Sequence, residues 1–290
     1  MSLQSRLLVT VFVLGSAAGL ATSAHATPYA YASNQITGLT VTFAGGAALP
    51  IVGTPTTSIS DSAQFDGSSS SNFQNSGVVG SALTIPQAFS GPGSAPPGTY
   101  TPQGATFTGA RADAAIGAGS ASTGGVSVSN VAEANGNALG NSVGTNNAAI
   151  SFTVVGTGQA LALSFNDLIQ LTASTAALAG ETANAAIQNN FSITAAGSTT
   201  PFATFSPAEL NRQLASNGGN PLTNSVGPTL FNETFNSPVL TNGVTYNVAL
   251  TSTASESIQP GRTNVLEPAS LATLGAGLLA LGILRRRKTS

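Results

Sequence analysis

The chain contains no cysteine, no tryptophan and a single histidine, and only 6% of its 290 residues are charged. Each shortage closes off some chemistry. Without cysteine there are no disulfides, no zinc–thiolate centres and no sulfur nucleophiles, so the core has to hold itself together by packing. Without tryptophan, and with four tyrosines and thirteen phenylalanines, few aromatic planes are left to stack on sugars. The histidine, His25, sits in Ala24-His25-Ala26, a small-x-small cleavage pattern ahead of Thr27. Once that cut is made, the mature body has no imidazole for acid–base work or metal ligation. A charge content of 6% lies far below the roughly 25% of average soluble domains and implies a surface of Ser, Thr, Asn and Gly. Such surfaces are common outside cells.

The N-terminus supplies a route out. Arg6 gives a positive n-region, Leu7 to Leu20 form an apolar core, and Ala24 and Ala26 flank the cleavage position. Residues 1–26 are therefore expected to be a secretory signal peptide, with the Sec translocon and signal peptidase as partners. The apolar core is shorter than the roughly 20 residues that a membrane-spanning helix needs.

The C-terminus repeats the theme in a different order. Ala269 to Leu284 carry no charge; Glu267-Pro268 stand before them and Arg285, Arg286, Arg287 and Lys288 after them. As a transmembrane helix, 269–284 would span about 24 Å, short of a ~30 Å hydrocarbon core but within reach of snorkelling arginines. The basic cluster 285–288 is expected to stay cytoplasmic as a retention signal, which leaves the body outside the membrane.

This order of Glu-Pro, a short Ala/Leu/Gly-rich helix, a basic cluster and the chain end resembles the PEP-CTERM sorting signal of Gram-negative bacteria. Glu267 and Pro268 match the second and third residues of that family's Pro-Glu-Pro triplet, and Leu266 stands where the family has its first proline. The resemblance covers about residues 265–288. It implies recognition near Glu267 and Pro268 by a membrane-embedded cysteine protease, an exosortase. It speaks to sorting and leaves the role of the body open.

Losing both ends changes the electrostatics. Arg6 and the four tail bases are five of the eight Lys and Arg; Arg111, Arg212 and Arg262 remain against ten acids, a net charge of −7 for a body cut just after Pro268. An acidic body without lysine is a poor partner for nucleic acid or anionic lipid, which require clustered cations.

Between Thr27 and Gln259 the hydrophobic period is two. Leu39, Val41 and Phe43 alternate with small or polar residues, as do Ile150, Phe152 and Val154, then Leu161, Leu163 and Phe165, then Val244, Tyr246, Val248 and Leu250. That pattern belongs to antiparallel strands buried on one face. Gly156-Thr157-Gly158 reads as a hairpin turn between two of these strands, and Asn242-Gly243 as the turn before another. The expected fold is mainly β, an antiparallel β-sandwich of short strands with jelly-roll-like order. One short helix is expected where Ser206-Pro207-Ala208-Glu209 matches a capping box, Leu210 and Leu214 share a face, and Asn217-Gly218-Gly219 ends it. Asp66–Ser76 and 85–104 read as loops, and 109–144 as weak β structure interrupted by glycine. The organisation expected is a signal peptide at 1–26, a loop-rich N-terminal part at 27–105, a sandwich core at 106–262 and a sorting tail at 263–290.

No motif for catalysis, cofactor or metal emerges. Serine nucleophiles lack a basic partner, the acids are scattered singly, and Asp61 and Asp66 do not match an EF-hand loop. The reading that follows is an exported, non-enzymatic surface or matrix protein, parked in the inner membrane by its tail, processed by an exosortase-like protease and associated with extracellular polysaccharide or biofilm. The alternative is a carbohydrate-binding or adhesive module, which exposed Tyr29, Tyr31 or Tyr100 beside a groove would favour. An enzyme would require several of Asp61, Asp66, Asp113, Glu133, Asp167, Glu181, Glu209, Glu233 and Glu256 to converge in a cleft.

Overall fold

The computed structural model describes residues 27–76, 82–92, 96–104, 108–119, 126–136, 142–176, 180–218 and 222–261. The expected signal peptide, with Ala24 and Ala26, lies outside the described residues, as does the expected tail with Glu267, Pro268, Arg285, Arg286, Arg287 and Lys288. Among the described residues no helix is long and apolar enough to cross a membrane.

In chain order the strands are β1 (Tyr29–Phe43), β2 (Ile51–Phe65), β3 (Ser68–Ser76), β4 (Leu83–Thr84), β5 (Ala88–Ser90), β6 (Gly109–Ile116), β7 (Val126–Asn135), β8 (Ser142–Val155), β9 (Ala160–Thr175), β10 (Thr182–Ala195), β11 (Ala203–Phe205), β12 (Arg212–Asn217), β13 (Leu222–Val239) and β14 (Thr245–Gln259). A first sheet runs β13-β9-β1-β7-β6-β4, with β5 also on β6; a second runs β11-β10-β14-β8-β2-β3, with β12 also on β10. Every pairing is antiparallel. The sheets lie face to face, β9 on β10, β1 on β14, β7 on β8 and β6 on β2. The chain is therefore mainly β, an antiparallel sandwich, as the two-residue period implies.

Alternation builds the core. In β9 every second residue from Leu161 to Thr175 is buried, and β14 does the same from Tyr246 to Ile258. Leu39, Val41, Phe43, Ile150, Phe152, Leu161, Leu163, Val248 and Leu250 join one large aliphatic and aromatic cluster. Each such side chain contributes about 1.5–3 kcal/mol on leaving water. At the other end the sheets meet through a second cluster made mostly of alanine, with Ala30, Ala63, Ala88, Ala110, Ala112, Ala134, Ala173 and Ala183 around Phe65 and Ile258. Both ends of the described chain emerge there: Tyr29 pairs with Ser174 near the end of β9, and Gln259 pairs with Thr182 at the start of β10.

Four expectations need correction. The helix is absent: Ala208–Leu210 form one 3₁₀ turn, and Arg212–Asn217 continue as β12 on the edge of β10. Ser206 does not cap that turn; its Oγ donates to the Asn189 carbonyl. The cause is the open edge of β10, whose backbone groups need partners more than two turns of helix need a capping box. Asn211 fills the gap between β11 and β12 by accepting from the Asn189 N–H through Oδ1 and donating to its carbonyl through Nδ2, as a ladder residue would.

Next, Gly156-Thr157-Gly158 is no hairpin, since β8 and β9 lie in different sheets and the turn carries the chain across the sandwich. Third, Asp66–Ser76 is not a loop. Phe65 pairs with Ser68, so Asp66-Gly67 is a two-residue turn, with φ of 49° and 81°, that returns the chain as β3. Left-handed backbone at both turn positions is what the twist of a hairpin demands and what Asp-Gly supplies. Finally, the major strands are long, 14 to 18 residues for β8, β9, β10 and β13. Asn242-Gly243 does precede β14, as expected.

Candidate functional site

The densest polar cluster lies on the outer face of the first sheet, where small residues leave room for a few large ones. β6 alternates Ala110, Ala112 and Ala114 toward the core with Arg111 and Asp113 on the opposite face. Register sets Arg111 beside Glu133 and Glu133 beside Tyr31. The Arg111 guanidinium contacts Glu133 Oε2 through Nη2 at 2.6 Å and Nε at 2.8 Å, with both side chains fully buried.

A strap, residues 96–104, covers this pair, and each bond that holds it down reaches its backbone. Arg111 donates from Nη1 to the Thr99 carbonyl (2.7 Å) and from Nη2 to that of Thr101 (2.9 Å). Tyr31 donates to the Tyr100 carbonyl (2.6 Å), and Asn135 to that of Gly104 (2.6 Å). In return Glu133 Oε1 accepts the Gln103 and Gly104 N–H groups and the Tyr29 hydroxyl, and Asp113 accepts the Gly98 N–H. Burial raises the tyrosine hydroxyls, Tyr31 to about 12, with Tyr29 pushed higher by burial and by Glu133. Burial raises the Asp113 carboxyl as well. The arrangement anchors a segment: the carboxylates are occupied by N–H donors and the arginine by carbonyls.

A second polar layer crosses the interior. Asn34 on β1 donates to Asn189 Oδ1 and Ser252 Oγ, Asn130 donates to Ser252, and Ser252 donates to Asn189. Asn189 Nδ2 in turn donates to Asp167 at 2.8 Å. Asp167 is fully buried, and burial pushes its carboxyl up to about 7. Nearer the alanine end, Asn146 on β8 reaches across to the Asp113 and Val131 carbonyls. Glu256 is buried among these groups; burial, then the charge of Glu133, holds its carboxyl well above the usual range. It fits because it faces Gly144, where an added Cβ would lie 2.6 Å from Glu256 Oε1 and 2.7 Å from the Arg111 carbonyl oxygen.

The tyrosines weighed as a sugar platform are committed elsewhere: Tyr31 is buried, while Tyr29 and Tyr100 are half-buried beneath or within the strap. Asp61 and Asp66 do not come together. Asp61 is buried and accepts N–H groups from Asn72 and Ala88, which offset part of the burial that raises it to about 6. Asp66 shapes the β2–β3 turn. Among the described residues no group of three His, Asp or Glu could hold a metal ion. Arg111, Asp113 and Glu133 were visible in the sequence only as scattered charges; the alternation of charge with alanine in G-A-R-A-D-A-A-I was the signal that could have joined them.

The second sheet presents a different outer face. From Ser58 to Gln64 on β2, Val143 to Thr153 on β8, Asn184 to Thr194 on β10 and Asn247 to Ser257 on β14, the outward positions are Ser, Thr, Asn, Gln, Ala or Val. A shallow trough of about 420 Å³ crosses it, lined by Thr145, Ser255, Ala186, Gln213 and Asn184 together with the buried Glu256. Among the described residues, fold and sites together define a two-sheet sandwich that buries most of its charge and carries an uncharged outer face on the second sheet. Comparison with protein families, with curated proteins and with solved structures returns no match.

Proposed function

We propose that this chain is an exported, non-enzymatic surface or matrix protein. Its tail parks it in the inner membrane, and an exosortase-like protease processes it before it is released or attached in the outer envelope or exopolysaccharide layer. The observation that carries this reading is the sequence of the tail, Glu267-Pro268, then the uncharged segment 269–284, then Arg285–Lys288, behind a chain that opens with a signal-peptide pattern. The body agrees with it: an antiparallel sandwich without cysteine, with a broad outer face of neutral polar residues, suits a passive life outside the cell. The alternative, sugar recognition through exposed tyrosines at one end, is not favoured, because Tyr31 is buried, Tyr29 and Tyr100 are half-buried, and the Tyr29 and Tyr31 hydroxyls are taken up by Glu133 and the Tyr100 carbonyl.

The test is to follow a body-tagged chain in its host, with and without residues 266–290, by fractionation and intact mass. The expected result is a mature product that has lost both ends, and a tail-less variant that is neither retained at the membrane nor delivered to the surface layer. Identical size and location for the two would overturn the proposal.

A further inference from the structure

We propose that the outer face of the second sheet is a docking surface for a neutral polysaccharide, centred on the trough between β8 and β12. This rests on the reading above, in which the protein resides in an extracellular matrix, and names the component it would hold.

Charge is segregated away from this face. Asp61, Asp167, Glu181 and Glu256 are buried, Glu256 lining the trough at only 3% exposure; Arg111, Asp113 and Glu133 lie under the strap of the other sheet, and Arg212 stacks over the Phe231 ring on β13. Asp66, Glu209 and Glu233 occupy the β2–β3 turn, the 3₁₀ turn and β13. What remains outside is a cross-strand lattice. One row reads Ser71, Ser62, Thr145, Ser255, Ala186 and Gln213, and its neighbour Ser69, Gln64, Val143, Ser257, Asn184 and Ala215. The small Ser255 and Ala186, set between Thr145 and Gln213, make the trough. A third row begins with Phe73, 70% exposed, and continues through Ser60, Asn147, Thr253 and Gln188. At about 4.8 Å per strand, Phe73 stands about 14 Å from β14, within the span of a few sugar units.

Hydroxyls and amides both donate and accept, so they can replace the water around sugar hydroxyls without taking a charge out of solvent, the costly step in polar burial. An exposed ring adds an apolar surface for a sugar face. The net negative charge of the body repels an acidic polymer and leaves a neutral one unaffected. Each contact is weak, and a chain spanning several rows gains by multiplicity.

The experiment measures depletion of the full chain, in neutral detergent, by insoluble cellulose and curdlan, with calcium alginate as the acidic comparison. The expected result is depletion by at least one neutral glucan, little changed between 50 and 500 mM salt, and none by alginate at 500 mM salt, where attraction to the four tail bases is screened. Thr145→Arg, at an exposed position of the trough, should cut the bound fraction at least fivefold, and Phe73→Ala twofold or more. Asn166→Arg, exposed on the first sheet, should leave it unchanged, with thermal melts verifying that all three fold. No depletion by either glucan, equal retention of Thr145→Arg and Asn166→Arg, or loss of self-association in Thr145→Arg without loss of glucan binding would each overturn the proposal. The last result would mark the face as a contact between copies. Tail-dependent sorting is read from localisation, so it stands or falls separately.

Discussion

Replacing Asp167 with asparagine should flatten the dependence of stability on pH. In the unfolded chain this carboxyl titrates at its ordinary value of 3.8; in the folded protein, fully buried between the sheets, it titrates at about 7. Below about pH 3 both states hold the proton and the group makes no difference. As pH rises, the unfolded chain releases a proton that the folded one keeps, so stability falls until the folded carboxyl ionises and the penalty levels off at about 4 kcal/mol. Roughly 2–3 kcal/mol of that loss falls between pH 5 and pH 8. The hydrogen bond from Asn189 survives the substitution, because the asparagine carbonyl oxygen can accept it, while Glu233, the other acid acting on Asp167, is retained. Urea midpoints measured at half-unit steps from pH 4 to 9 for both proteins provide the test. The difference between the two curves should grow in favour of the variant as pH rises and flatten above pH 7. Parallel curves would refute the assignment of a proton to buried Asp167. Glu256, Asp61 and Asp113, which burial also raises, contribute equally to both curves and cancel in the difference.

Other outcomes follow from the same structure. Arg111→Ala leaves Glu133 buried without its counter-charge and should cost about 3–5 kcal/mol, with new protease cuts within 96–104. Arg111→Lys should not restore protection, because an ammonium cannot bridge Glu133, Thr99 and Thr101 at once. Gly144→Ala sets a methyl against both Glu256 Oε1 and a backbone carbonyl; it should lower stability by about 1–3 kcal/mol in a thermal or urea melt.

Much of the sandwich was legible because burial on one face writes itself into the sequence as alternation. Leu161, Leu163 and Phe165 alternate in the chain and in the core alike. Legibility failed where an inward position is polar. Asn34, Asp167 and Asn189 carry no apolar signal of burial, and what holds them inside is the network they form with Ser252 from four different strands. A bond across the sandwich between residues 155 apart, from Asn34 to Asn189, is not a local property. The supposed helix failed for a related reason: its capping pattern is local, whereas the demand of the β10 edge is not. The turn at 156–158 was visible as a turn, but a turn does not say whether the next strand stays in its sheet. The strap cluster was hidden in the same way, because Arg111 and Glu133 are 22 residues apart and are joined only by strand register.

The two ends of the described chain leave the body side by side at its alanine-lined end. β1 and β14 extend from there for 15 residues, about 50 Å. In the anchored form proposed above, a leash attached at the final strand would grip the molecule by its foot. The broad faces then stand like a plank on end, open to neighbours on both sides, while the crown of inter-sheet turns points toward the surroundings.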